Sequence, residues 1–392
     1  MPKDYLSLGL CLFFLLGCHS DQADNVLRFQ IDLKNSDVKK FSDLFSSVQY
    51  TLLDVGDEHV LAQPSKMVIK NNHIFVEDRQ QSHIFIFENS GLLKTVIKSN
   101  LNAGPGEYLQ LEDFQAGKDQ ITIRDYPLNK TLYFDLNGNL LKEKKEELLY
   151  YYFHEEENWK LSYMGFSNGP DGMMFLREDN SQNKHYQFQF SNNYDWINVS
   201  SKNGFMANSS EKAYFFRIPY SYQVAKFNSD GFLSQTLEWE VRNGGMSDSE
   251  RFRFATDRIL REKIREGELV NEVDTFFPLS KYYFLHFNQG NPYGRYHNHY
   301  ILYDKEFNKL FQGKNLENDL DGMPLHGVPW TFTEDEIILI INSTQFYNQY
   351  IETYKGKKVQ LNAGNIHTFF QENKKRLPDE QQVMVSLKLK DF

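Results

Sequence analysis

IFIFENSGLLKTVIKSNLNAGPGEYLQLEDF, residues 84–114, holds the pattern that decides the fold. Ile84-Phe85-Ile86-Phe87 is a run of β-branched and aromatic residues, and Asn89-Ser90-Gly91 is a turn. Leu92 to Ile97 is a second such run, so the pair reads as a β-hairpin. Gly104-Pro105-Gly106-Glu107-Tyr108 then punctuates the chain before the next strand. Pro105 fixes its own φ, and the glycines on either side open turns closed to other residues.

The hairpin logic recurs. Thr131–Asp135 turns at Asn137-Gly138 into Asn139–Lys142, and Tyr222–Phe227 turns at Ser229-Asp230-Gly231 into Phe232–Ser234. Tyr300–Asp304 turns near Glu306-Phe307-Asn308, and Tyr186–Phe190 turns at Asn192-Asn193. Lys66–Lys70 and His73–Glu77, split by Asn71-Asn72, read as a two-residue hairpin of their own. Turn centres fall roughly 40 to 75 residues apart, and the shortest spacing matches one four-stranded propeller blade. The chain is thus expected to be all-β, a β-propeller in which radial repetition leaves little exposed sheet edge. Some 365 residues divide into six blades of about 60 or seven of about 50. Six is preferred, because two of the spacings carry insertions.

The larger insertion runs from Ser247 to Glu272. Ser247-Asp248-Ser249-Glu250 fits a capping box, Phe252, Ala255, Ile259 and Leu260 fall on one helical face, and Gly267 can end the helix. Its charges read as a solvated face, with a partner-docking helix as the sharper alternative. A shorter helix is expected over Ile366–Leu377, stopped by Pro378. Gln382–Lys390 alternates as a last strand, and ring closure calls for it to pair with either Val26–Leu33 or Val48–Leu53.

Composition narrows the function classes. Thirty-three Phe and 23 Tyr favour strands, and a formal charge of −10 argues against nucleic-acid binding, which needs clustered Lys and Arg. Both cysteines, Cys11 and Cys18, lie near the N-terminus, so the rest of the chain has no disulfide, cysteine-zinc site or cysteine nucleophile. Lys3 precedes an apolar run, Leu6–Leu16, that has the length of a signal-peptide core and is too short to span a bilayer. Leu15-Leu16-Gly17-Cys18 is similar to a bacterial lipobox. This implies a signal peptide over residues 1–17, a lipidated Cys18, a tether to Asn25 and one propeller domain over 26–392. The expected address is an outer-membrane lipoprotein, periplasmic or surface-exposed. Acidic residues just past Cys18 resemble surface-export signals of Bacteroides-type lipoproteins.

The lipobox and the hairpin at 82–97 are joined by the AGPGEYLQLEDF stretch at 103–114, KAYFFRIPYSYQVAKFNSDGFLSQTLEW at 212–239 and the VMVSLKLKD strand at 383–391. Together they resemble the six-bladed β-propeller lipoproteins of Bacteroides-type bacteria, a family whose function is largely open and which supplies no catalytic residues to carry over. The stretch 146–185 departs most from a clean blade pattern.

No motif names a reaction. Gly165-Phe166-Ser167-Asn168-Gly169 has the spacing of a nucleophile elbow, but Pro170-Asp171-Gly172 follows where a helix is required. Asp135, Asn137 and Asn139 are faintly like a calcium loop, yet Leu140 stands where glycine is needed. His297 and His299 share one face of an extended strand and would need a third ligand, such as His326, to hold a metal. Glu107, Tyr108 and Asp113 sit where a carboxylate could face the channel or brace a turn. No cofactor or metal is expected. Candidate ligand-binding residues are Glu107, Tyr108, Asp113, His297 and His299, with Cys18 as the lipidation site. The leading expectation is a membrane-anchored, monomeric module that binds a small molecule, glycan or protein. A propeller hydrolase or lyase acting on a glycan or lactone is the alternative, and a subunit of an outer-membrane complex is a third.

Overall fold

The computed structural model describes residues 25–392 apart from 101–102, 167, 190–200, 202, 254–255, 291–295, 326 and 358–363. Six sheets form a ring, and each sheet is one blade of a six-bladed β-propeller. Blade 1 runs from its inner strand outward as Pro64–Lys70, His73–Asp78, His83–Glu88 and Leu93–Ile97. Blade 2 is Leu111–Ala116, Gln120–Asp125, Lys130–Asp135 and Leu140–Lys145; blade 3 is Tyr152–Glu155, Trp159–Tyr163, Met173–Asp179 and Lys184–Gln189. Blade 4 (Phe205–Asn208, Ala213–Arg217, Gln223–Phe227, Leu233–Arg242) and blade 5 (Thr275–Pro278, Tyr283–Gly290, Tyr296–Tyr303, Lys309–Glu317) each gain a fifth strand. Pro329–Phe332, Glu336–Asn342, Gln382–Leu389 and Phe45–Leu53 make the closing blade.

The termini close the ring. Gln382–Leu389 pairs antiparallel with Phe45–Leu53, so of the two candidate partners it is the Val48–Leu53 segment that meets it. Val26–Asp32 instead runs parallel to the outer strand of blade 4, and Val38–Lys40 runs parallel to that of blade 5. The N-terminal segment thereby covers two exposed sheet edges on its way to the closing blade. Phe29 fixes it there, stacking on Phe307 with ring centroids 4.7 Å apart and lying 5.6 Å from Trp239.

One turn chemistry joins the third and outer strands of blades 2 to 5. In blade 2 the Asp135 carboxylate accepts the N–H groups of Asn137 and Asn139, both at 2.8 Å. Asp179, Asn228 and Asp304 open the matching turns of blades 3, 4 and 5 in the same way. The residue three places on is left-handed in every case, at Gly138, Gln182, Gly231 and Phe307, and so is Gly91 at the same place in blade 1, with φ between 62° and 87°. In blades 1, 2, 4 and 5 that residue comes with a one-residue register shift, which gives the strands the twist they need. Blade 3 corrects the sequence expectation. Its hairpin turns at Asn180–Gln182, and Tyr186 lies in the outer strand, not the third; the Asn192-Asn193 turn falls outside the described residues. The non-glycine residue at Gln182 hides this turn.

At Gly91 glycine is also required by packing. A Cβ there would lie 2.0 Å from the Leu52 carbonyl oxygen, where the turn meets the closing blade through an Asp54 N–H to Gly91 O bond of 2.9 Å. Gly91→Ala is expected to cost about 2–4 kcal/mol, combining left-handed strain with that clash. Urea denaturation checks it, and an unchanged midpoint would contradict the packing.

Chain direction sorts the connections between two faces. Turns between first and second strands, and between third and outer strands, are tight and lie on the lower face. The upper face carries the second-to-third turns and the longer blade-to-blade crossings. Both helical excursions follow that rule. The 247–267 insertion forms two helices, Asp248–Arg253 and Arg258–Arg265, where one was expected, because Asp257 caps the second through the N–H groups of Ile259 and Leu260. Its Ser247–Glu250 capping box is formed. Leu260 is buried, but Ile259 is 67% exposed. The closing blade carries Ser343–Tyr354 and Ile366–Asn373 between its second and third strands.

Candidate functional site: the upper mouth of the channel

Inner strands line the axis of the ring, and those of blades 1, 2 and 3, with Ser201 ahead of blade 4, converge at their upper ends on a cavity of about 480 Å³. Ser65 and Lys66 follow Pro64 at the start of the inner strand of blade 1; Glu77 is next to last in its second strand, with Arg79 and Ser82 in the following turn. Leu109 to Glu112 lead into blade 2, Tyr152 opens blade 3 and Ser201 precedes blade 4. The lining is mainly polar.

A buried ion pair braces the floor. Lys66 Nζ donates to Asp113 Oδ1 at 2.6 Å and to the Phe114 carbonyl at 2.8 Å, and it lies 4.9 Å from the Phe114 ring centre. The other Asp113 oxygen accepts the Phe153 N–H at 3.1 Å. Asp113 therefore links blades 1, 2 and 3, and its carboxylate is fully buried. Burial pushes its carboxyl up, opposed by the ammonium and the two backbone N–H groups it faces.

Two further carboxyls make no ion pair among the described residues. Burial pushes Glu77 up to about 7, with Asp113 adding to it and Lys66, Ser65 and Arg79 opposing. Glu112 is also pushed up to about 7 by burial and by Asp113, against Arg79 and Arg124. The Tyr152 hydroxyl accepts the Ser201 N–H at 2.8 Å, and among the described residues no acceptor is recorded for its own proton. Burial raises its pKa, so it stays a donor. The cavity thus presents an unspent hydroxyl donor, an exposed guanidinium at the lip and two carboxyls able to change charge near neutrality.

The sign of the glutamate shift gives a testable consequence. Glu77 has a folded pKa near 7, above its ordinary 4.5, so folding favours the protonated form. That contribution is whole below the unfolded value and lost as pH rises through the folded one. Glu77→Gln is expected to stabilise the protein at pH 8 by about 1–3 kcal/mol and to leave pH 4 stability nearly unchanged. Urea midpoints at the two pH values check this; destabilisation at pH 8 would contradict it.

Of the residues singled out in sequence, only Asp113 reaches this cluster. Glu107 is turned back to brace its own turn, accepting from Asn100 Nδ2 at 2.6 Å and from the Gly104 N–H at 2.8 Å. The Tyr108 side chain is buried, its hydroxyl donating to Ser82 O at 2.8 Å and Ile97 O at 3.1 Å. The GPGEY turn therefore acts on the cavity only indirectly, by delivering Leu109 and Gln110 to its wall. His297 and His299 lie in blade 5, away from the lining. His297 Nδ1 is 2.9 Å from Asn315 Nδ2, and His299 Nε2 is 2.8 Å from Gln289 Oε1. Burial pushes His299 down to about 4, so it is neutral at pH 7. Among the described residues no three His, Cys, Asp or Glu side chains are placed to hold a metal; His326 lies outside them. Ser167 also lies outside them, and the chain around it joins two antiparallel strands of blade 3. Asp135, of the calcium-like run, is spent on its turn.

Sequence spacing did not reveal Lys66, Glu77, Arg79, Glu112 and Tyr152. Each sits at a strand end, and only the ring brings them together.

Comparison with known proteins agrees on the architecture. A protein of Bacteroides fragilis described provisionally as exported superposes with a TM-score of 0.70 at 13% identity, covering 93% of this chain and 100% of that one. A Bacteroides vulgatus protein of a domain family numbered 4221 gives 0.53 at 11% identity, over 89% and 98% of the two chains. A search of the curated proteins finds no match. The model of a family described as 6-bladed beta-propeller matches residues 19–340, and the chain belongs to that family.

Proposed function

We propose that this protein is a lipid-anchored envelope propeller whose upper channel mouth binds a small polar ligand. The observation that carries the reading is the cavity itself, with three inner strands and the residues beside them supplying hydrogen-bonding groups around about 480 Å³. Pockets that hold ligands are concave and place a few convergent polar groups; here the unspent Tyr152 hydroxyl and the Arg79 guanidinium are such groups. The Leu15-Leu16-Gly17-Cys18 run supports the anchor, as does the exported description of the Bacteroides fragilis relative. No helix among the described residues is long and apolar enough to cross a membrane. A thermal-shift screen of polar metabolites tests the reading: hits should stabilise the wild type and lose their effect in Tyr152→Phe and Glu112→Gln. Hits indifferent to both substitutions would overturn it. Incorporation of labelled fatty acid, abolished by Cys18→Ser, tests the anchor.

A second reading, a hydrolase or lyase, is favoured by one observation. Glu77 and Glu112 are both pushed up to about 7, where a carboxyl exchanges protons efficiently with a substrate. Turnover of a glycan or lactone that is lost in Glu112→Gln, while ligand binding persists, would establish it.

A further inference from the structure

We infer that the channel-mouth cavity selects ligands carrying a positively charged nitrogen, seated against Glu77 and Glu112. This rests on the reading of the cavity as a ligand site and names the charge of what it takes.

The charges around the cavity do not balance. Three carboxyl groups, Glu77, Glu112 and Asp113, belong to the cluster, and Asp113 raises both glutamates. Lys66 is committed to Asp113 and the Phe114 carbonyl. Arg124, which also faces Glu112, has its charge offset by Glu146 and Asp125 and binds the carbonyls of Tyr150, Asp125 and Lys130 and the Asn129 side chain. Arg79 is exposed at the lip, where water screens it. Glu77, only 7% exposed, and half-buried Glu112 are therefore left without a counter-charge of their own. An anion entering the cavity would displace their water and meet two partly ionised carboxylates at low dielectric, which is strongly unfavourable. A neutral polyol would bind best to their protonated forms. A cation supplies the missing charge and draws both glutamates into the ionised form. The free Tyr152 hydroxyl proton then serves an acceptor oxygen elsewhere on the same ligand. The chain's overall charge of −10 favours the approach of cations as well.

Three six-carbon probes of matched shape test this: 1-amino-1-deoxysorbitol (positive), sorbitol (neutral) and gluconate (negative). Isothermal titration of the whole protein at pH 6 and pH 8 reads their affinities. The amine is expected to bind at least about tenfold more tightly than sorbitol, with gluconate weakest. Its affinity should rise between pH 6 and 8 by up to about tenfold for each glutamate that must ionise. Glu77→Gln and Glu112→Gln should each remove part of that rise. Equal or tighter binding of gluconate, an affinity that falls with pH, or an amine site untouched by both substitutions would overturn the charge selection while leaving the cavity a ligand site. Absence of binding by all three probes also overturns it. The ligand-site reading fails separately, if the screen's hits ignore both Tyr152→Phe and Glu112→Gln.

Discussion

A chain cut after Gln381 is expected to lose cooperative folding altogether. The missing strand, Gln382–Leu389, lies between Glu336–Asn342 and Phe45–Leu53, and it holds the N-terminal and C-terminal parts of the closing blade together. Val383, Val385, Leu387 and Leu389 bury their side chains in the largest apolar cluster, which spans the closing blade and blades 4 and 5. Each such side chain contributes about 1.5–3 kcal/mol, so losing four removes about 6–12 kcal/mol, comparable to the whole margin of about 5–15 kcal/mol on which a typical fold rests. Near-ultraviolet circular dichroism and urea denaturation check the outcome. A sharp transition at the wild-type midpoint would show that the ring does not depend on this closure.

Asp113→Ala carries the second large effect, an expected loss of about 3–5 kcal/mol. The substitution leaves the Lys66 ammonium buried without its carboxylate and frees the Phe153 N–H. Replacing both partners, as Lys66→Met with Asp113→Leu, should recover much of the loss, because a buried pair owes its cost of disruption mainly to the charge left behind. Urea midpoints of the three variants give the comparison. If the double substitution is as damaging as Asp113→Ala, the pair is not the main source of the effect.

The propeller was legible because its repeat is written in backbone requirements. Gly91, Gly138 and Gly231 are needed where a left-handed residue shapes the outer hairpin, and Asp135 and Asn228 open turns with their own side chains. Where Gln182 and Phe307 take that conformation, the signal weakens, and blade 3 was misregistered. Ring closure was legible from the alternation of Gln382–Lys390. Helix Ser343–Tyr354 was hidden: its Thr, Tyr, Phe and Ile content favours strands, and the Asn342 side chain starts it by capping Thr344 and Gln345. The cavity was mostly illegible for a different reason. Its residues run from Ser65 to Ser201 and meet only because successive inner strands end at one height around the axis. Asp113 stood out beside the GPGEY turn, but nothing local marks Glu77 or Tyr152 as its neighbours. Glu107 drew attention by its flanking glycines, and those same glycines let it fold back on the turn.

The proposed ligand site is the upper mouth of the channel. Hydrogen exchange, measured with and without a compound that stabilises the protein in the thermal-shift screen, tests this most directly. Amide exchange is predicted to slow in the peptides holding Ser65–Lys66, Leu109–Glu112 and Tyr152. Protection confined to the helices at 248–265 or 343–373, or to the turns of the lower face, would contradict it.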